Sequence, residues 1–153
     1  MRSRAGFTLV ELIVVVVIIA VLAAVALPVA QTSMQRADEV ELRRALRQLR
    51  NAIDSYRDFA MEHKVEMDSD RYFLPKSLDE LVEGLEYRNK EGDRRIERFL
   101  RRIPRDPLSN TREWGLRSFQ DKRDSSQWGG ENVWDVYCLS ENTALDGTPY
   151  RSW

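Results

Sequence analysis

The feature that most constrains this chain is an unbroken apolar segment near its N-terminus. All 19 residues from Leu12 to Ala30 are apolar, and Glu11 is the single charged residue in the wider segment 7–30. Twenty-four helical residues rise roughly 36 Å at about 1.5 Å each, which exceeds the roughly 30 Å hydrocarbon core of a bilayer. The segment therefore predicts a transmembrane helix. Arg2 and Arg4 in front of it favour a cytoplasmic N-terminus and an exported remainder.

Hydropathy alone leaves two other interpretations of this segment open. One is a secretory signal peptide cut near Ala24-Val25-Ala26, although the apolar run is longer than the roughly 7–15 residues of such peptides. The other is a plain membrane anchor that is never cut.

Composition excludes several classes of function for the charged remainder. The chain has 24 Lys+Arg against 25 Asp+Glu, and this balance argues against nucleic-acid binding. One cysteine, Cys138, cannot form an internal disulfide, and we expect it to be a small buried hydrophobe. The lone histidine, His63, has no partner for metal binding or catalysis and is expected to be exposed. We therefore expect no enzyme.

The order of residues before the apolar run is more specific. Arg4-Ala5-Gly6-Phe7-Thr8-Leu9-Val10-Glu11 resembles the signature of type IV prepilins and of the pseudopilins of type II secretion. The resemblance implies that a prepilin peptidase cuts between Gly6 and Phe7 and that the amine of Phe7 is then methylated. It also implies that Glu11 pairs with the N-terminal amine of a neighbouring subunit during filament assembly.

The chemistry of Glu11 supports this implication independently. A carboxylate within a membrane helix costs about 3 kcal/mol and is usually retained for a function with a partner. Pro28 interrupts the same helix by removing a backbone donor. The sequence does not separate a simple kink at Pro28 from the weak point that the resemblance implies.

A second helical pattern continues beyond the apolar run. Apolar residues alternate at spacings of three and four, which predicts an amphipathic helix to about Lys64 that packs on the chain's own head rather than in a coiled coil. The stripe comprises Leu42, Ala45, Leu46, Leu49, Ala52, Ile53, Tyr56, Phe59 and Ala60. The expected divisions are a leader at 1–6, a transmembrane half-helix at 7–30, an amphipathic half at 31–64 and a periplasmic head at 65–153.

The head is expected to complete an α+β, type IV pilin-like fold with short helices and a small antiparallel sheet. Ser77 and Glu80 resemble a capping box before a short helix at 78–86, and Arg94–Arg102 suggests a further helical turn or two. Strands are expected at Glu113–Phe119 and Val133–Leu139, with Trp134, Val136 and Cys138 on one face.

The C-terminal part of the head resembles one branch of the family. Segments 99–107, 135–140 and 144–153 resemble the major pseudopilin of type II secretion, in which the C-terminal loop binds calcium. The possible calcium ligands here are Leu139, Ser140, Asn142, Thr143, Asp146 and Thr148, although the loop has only two carboxylates. A polar loop closed by hydrogen bonds is the alternative.

The resulting hypothesis is a structural subunit of a periplasmic pseudopilus. Its expected partners are copies of itself, minor pseudopilins, an inner-membrane assembly platform, the prepilin peptidase and, before assembly, the lipid bilayer. A surface type IV pilus subunit is the closest alternative, although such pilins usually carry a disulfide. Anchored proteins that do not assemble, including an enzyme or an adaptor, are the remaining alternatives.

Overall fold

One long helix dominates the structure, a computed structural model that describes residues 8–153, the side chain of Val25 excepted. Helix α1 runs over Leu9–Glu62 and contains Pro28. By its contacts the chain divides into two compact units, with the division between Ala37 and Asp38. Within the first unit the apolar side chains of α1 are exposed to the surroundings. The helix is long and apolar enough to cross a membrane, by length and composition.

In the second unit, the apolar stripe of α1 forms the centre of the core. Leu42, Leu49 and Tyr56 are fully buried, and the rest of the predicted stripe is buried or partly buried beside them. They pack with Leu74 and with residues of the following segments, so the helix packs on its own head as predicted. His63, just past the end of α1, is exposed as predicted.

The first part of the head differs from the sequence prediction. Helix α2 covers Leu78–Glu83, so it ends before the predicted residue 86. Gly84 follows it, with a φ of 100° that places it in the left-handed region. The chain then forms strand β1, Leu85–Arg88, which pairs antiparallel with β2, Arg94–Glu97. The predicted helical turn at Arg94–Arg102 is therefore wrong.

A turn between these strands explains that difference. The side chain of Asn89 accepts hydrogen bonds from the backbone N–H groups of Glu91 (3.1 Å) and Asp93 (2.8 Å), and Gly92 has a φ of 86°. This turn folds residues 85–97 into a hairpin. Ile96 is 48% exposed on this hairpin, whereas Leu100 beyond it is buried.

The predicted capping box at α2 is only half right. Ser77 is the N-cap residue, but its side chain makes no capping hydrogen bond. The Glu80 carboxylate instead accepts from the Lys76 N–H (2.8 Å) and pairs with Arg71 (2.5 Å). The ion pair draws Glu80 away from the reciprocal bond that a capping box requires.

The second sheet confirms the predicted antiparallel pairing with a long connection. Strand β3 covers Gly115–Arg117 and pairs with β4, Asp135–Tyr137. Val136 and Cys138 are fully buried, but Trp134 is 43% exposed and does not share their face. The regular strand begins only at Asp135, so the two-residue alternation does not extend back to Trp134.

These elements together give the α+β architecture expected from the sequence. A long helix packs on a head that contains one short α-helix and two small antiparallel sheets.

Candidate functional site

The start of α1 presents the carboxylate that the sequence singled out. The Thr8 hydroxyl accepts a hydrogen bond from the Glu11 N–H at 3.2 Å, and the Thr8 carbonyl accepts from the Leu12 N–H at 3.1 Å. Thr8 thus caps the helix, and Glu11 lies in the first turn, where the helix dipole favours a negative charge. The Glu11 side chain is exposed and forms no ion pair with any residue from 8 onward. Gly6 and Phe7, the predicted cleavage and methylation residues, lie outside the described residues.

Pro28 lies inside α1 next to two side chains that bond back to the helix. The hydroxyls of Thr32 and Ser33 donate to the carbonyls of Pro28 and Val29, each at 2.9 Å. Proline removes one helical hydrogen bond, and hydroxyls that bond back four residues often bend a helix. Residues 28–33 therefore combine three features that weaken regular helical bonding.

The proposed calcium loop is closed by its own hydrogen bonds. Oδ1 of Asp146 accepts from the backbone N–H of Thr148 at 2.9 Å and from its hydroxyl at 2.6 Å. Those bonds, with the nearby guanidinium of Arg43, hold the pKa of Asp146 below its usual value. Oδ2 of Asp146 faces Arg43 at 3.4 Å, and the Thr148 hydroxyl accepts from the Trp153 indole at 2.7 Å.

Helix α1 contributes Glu39 to this loop, a residue that the sequence analysis did not identify. Glu39 is only 8% exposed, and its Oε1 accepts from the Leu145 N–H at 2.7 Å and from the Tyr150 hydroxyl at 3.0 Å. Arg43, one turn further along α1, also lies 4.1 Å from the centre of the Trp153 ring. A signal was present in the sequence, because Glu39 precedes Leu42 by three residues and so continues the buried stripe.

As they are arranged, these residues do not fit a calcium ion. Calcium takes six to eight oxygen ligands, whereas both oxygens of Asp146 are engaged and a guanidinium is their neighbour. The other loop carboxylate, Glu141, is exposed, and residues 8–153 contain no cluster of three acidic, histidine or cysteine side chains able to hold a metal. Calcium binding by Leu139, Ser140, Asn142, Thr143, Asp146 and Thr148 stays a prediction of the resemblance.

This loop geometry leads to a first testable expectation. We expect the melting temperature of the full chain in detergent to be the same in millimolar calcium and in excess chelator, since Glu39 and Arg43 already close the loop. Thermal unfolding followed by tryptophan fluorescence measures it. A rise of several degrees with calcium, lost in Asp146→Asn, would instead establish the metal site.

The surroundings of Cys138 are those of a buried core residue. Cys138 is fully buried, and its thiol donates to the buried carboxylate of Asp106 at 3.2 Å. Burial raises the pKa of the Cys138 thiol to about 12, so the thiol stays protonated at neutral pH. This confirms the prediction of a small buried residue.

The fold and the N-terminal segment together define a class of protein. A membrane-length apolar helix that continues into the core of a small α+β head is a pilin-like architecture, which is structural rather than catalytic. Residues 1–27 match the prokaryotic N-terminal methylation motif, which is typical of type IV pilins and pseudopilins. Comparisons with curated proteins and with solved structures gave no match.

The motif and the fold carry three consequences. The chain combines a pilin-like architecture with this motif, and the type IV pilin-like class implies self-assembly and processing by a prepilin peptidase. An N-terminal helix of this kind implies anchoring in the inner membrane before assembly.

Proposed function

We propose that this protein is a structural subunit of a periplasmic pseudopilus that drives export by a type II secretion system. The observation that carries the proposal is the methylation motif at 1–27, placed directly on a membrane-length helix. The peptidase cuts between Gly6 and Phe7, and the methylated amine of Phe7 meets Glu11 of a neighbouring subunit. Pairing neutralises both charges in the low-dielectric interior of the filament and sets the axial register.

The other parts of the proposal concern location and partners. The subunit waits in the inner membrane with its N-terminus in the cytoplasm and its head in the periplasm. An inner-membrane platform and minor pseudopilins then assemble it, and the growing filament pushes folded cargo toward an outer-membrane channel.

Two observations favour a pseudopilus over a surface pilus. The C-terminal loop is held by side-chain contacts of Glu39 and Arg43, and Cys138 is a free, buried thiol. Surface pilins usually close this region with a disulfide, which one cysteine cannot form. A surface type IV pilus remains the second candidate, because its subunits share the motif and the fold.

Processing provides the direct test. We expect protein purified from membranes that contain the native processing machinery to begin at Phe7 and to carry one added methyl group. Intact mass and N-terminal sequencing measure both changes. A chain that begins at Met1 would indicate a plain anchor, and one that begins near Leu27 would indicate a secreted domain; either result contradicts the proposal.

A further inference from the structure

The head carries a groove lined by arginines that have no acidic partner. Arg44 and Arg47 on α1 face Arg101 and Arg102 across an open groove of about 700 Å³, whose other polar lining includes Gln48. No carboxylate lines this groove, and none of the four arginines forms an ion pair with any residue from 8 onward. All four are exposed.

Carboxylates appear only in the adjoining grooves, one of which places Arg102 with Asp79, Glu83 and Glu113. Arg102 also lines a second groove with Arg105 and Arg112, where Glu41 is the one carboxylate. Unpaired like charges that are held close together repel one another, so such a cluster is favoured when an anionic partner covers it.

The same head carries an acidic segment that has no basic partner. The acidic segment, residues 62–70, contains four carboxylates and a single lysine, and the four carboxylates form no ion pair among the described residues. Its acidic residues are all exposed and comprise Glu62, Glu66, Asp68 and Asp70.

The helix arginines of the groove are too far from the acidic segment to pair with it within one chain. Arg47 and Glu62 lie on the same helix, 15 residues apart, which corresponds to roughly 22 Å along its axis. This separation is well beyond the screening length of about 8 Å at physiological ionic strength. The charges are therefore segregated on a chain whose net charge is only −1.

From this segregation we propose that the arginine groove of one copy receives the acidic segment of a second copy. The inference rests on the proposed assembly function and names the head contact within it. Two different patches meet in such a contact, which is heterologous and builds an open helical filament where the rotation between copies does not close a ring. Copies with parallel helices would be offset by roughly 22 Å along the helix axis, the separation of the two patches.

Reciprocal charge reversal tests this contact in cells that assemble the wild-type filament. Arg101→Glu with Arg102→Glu, and separately Glu66→Arg with Asp68→Arg, should each lower the filament yield about tenfold, because like charges then face each other. The chain that carries all four substitutions should recover most of the yield. Lys90→Glu with Lys122→Glu changes the net charge by the same amount as the arginine variant, at exposed lysines elsewhere, and should assemble normally.

Cross-linking gives an independent readout of the same contact. Arg102→Cys combined with Glu66→Cys should form a disulfide-linked ladder of multimers, and Arg102→Cys alone should not. Cys138 is fully buried and does not compete.

The outcomes separate the two proposals. If the wild-type chain forms no filaments at all, the assembly function itself fails. If the reversed chains assemble normally and no ladder forms, only the contact between heads is overturned. In a further outcome, the chain with Arg101→Glu and Arg102→Glu loses filaments that the added Glu66→Arg and Asp68→Arg substitutions fail to restore. That result would assign the groove to a different acidic partner and would also overturn the contact.

Discussion

Replacing Glu11 with leucine is expected to abolish filament assembly and to leave membrane insertion and the folded head unchanged. The substitution removes the one charge in the segment 7–30, so insertion becomes easier. In the proposed filament, however, it would leave the amine of a neighbouring Phe7 without its counter-ion. An unpaired ion at membrane depth costs about 3 kcal/mol, which corresponds to a loss of roughly a hundredfold in assembly. Filaments counted by electron microscopy, with the membrane-bound protein quantified in parallel, measure it.

Two control variants make this result specific. Glu11→Gln keeps the size of the side chain and removes its charge, and it should fail as leucine does. Ile13→Leu changes an exposed apolar residue of the same segment and should assemble normally. Normal filaments from both Glu11 variants would refute the charge-pairing role.

Replacing Leu49 with alanine is expected to produce the largest loss of stability in the head. Leu49 is fully buried at the centre of the core that α1 shares with the head. Truncation of such a leucine lowers the free energy of unfolding by about 2–5 kcal/mol, because it removes apolar contacts and leaves a cavity. For a unit of this size, the melting temperature should fall by roughly 8–20 °C.

The adjacent residue provides the matched control for this prediction. Gln48 is exposed on the same helical turn, and Gln48→Ala should change the free energy of unfolding by no more than about 0.5 kcal/mol. Both chains are compared in detergent by thermal unfolding followed through tryptophan fluorescence. Equal melting temperatures would mean that α1 does not pack on its own head, and would favour the coiled-coil alternative.

Most of the correct predictions rest on patterns among residues that are close together in the sequence. The stripe from Leu42 to Ala60 depends only on the helical repeat, and every member is buried or partly buried. The methylation motif at residues 1–27 is a pattern of consecutive residues, so it can be identified without tertiary structure.

The errors arose where a side chain had alternatives that differ only in three dimensions. Glu80 could bond Ser77 or pair with Arg71, and the fold brings Arg71 within 2.5 Å. Residues 94–97 could form a helical turn or a strand, and the turn at Asn89 and Gly92 supplied a partner strand. Local spacing is the same in both cases, so sequence periodicity could not choose between them.

By itself the sequence determined the membrane-length helix, the methylation motif and the face of α1 that is buried, because each depends on neighbouring residues along the chain. Only the tertiary structure decided how the C-terminal loop is closed. Glu39 and Arg43 lie more than a hundred positions before Leu145, Asp146 and Tyr150, and the contacts exist only because the head folds back on α1. The arginine groove has the same origin, since packing brings two separate segments of like charge side by side.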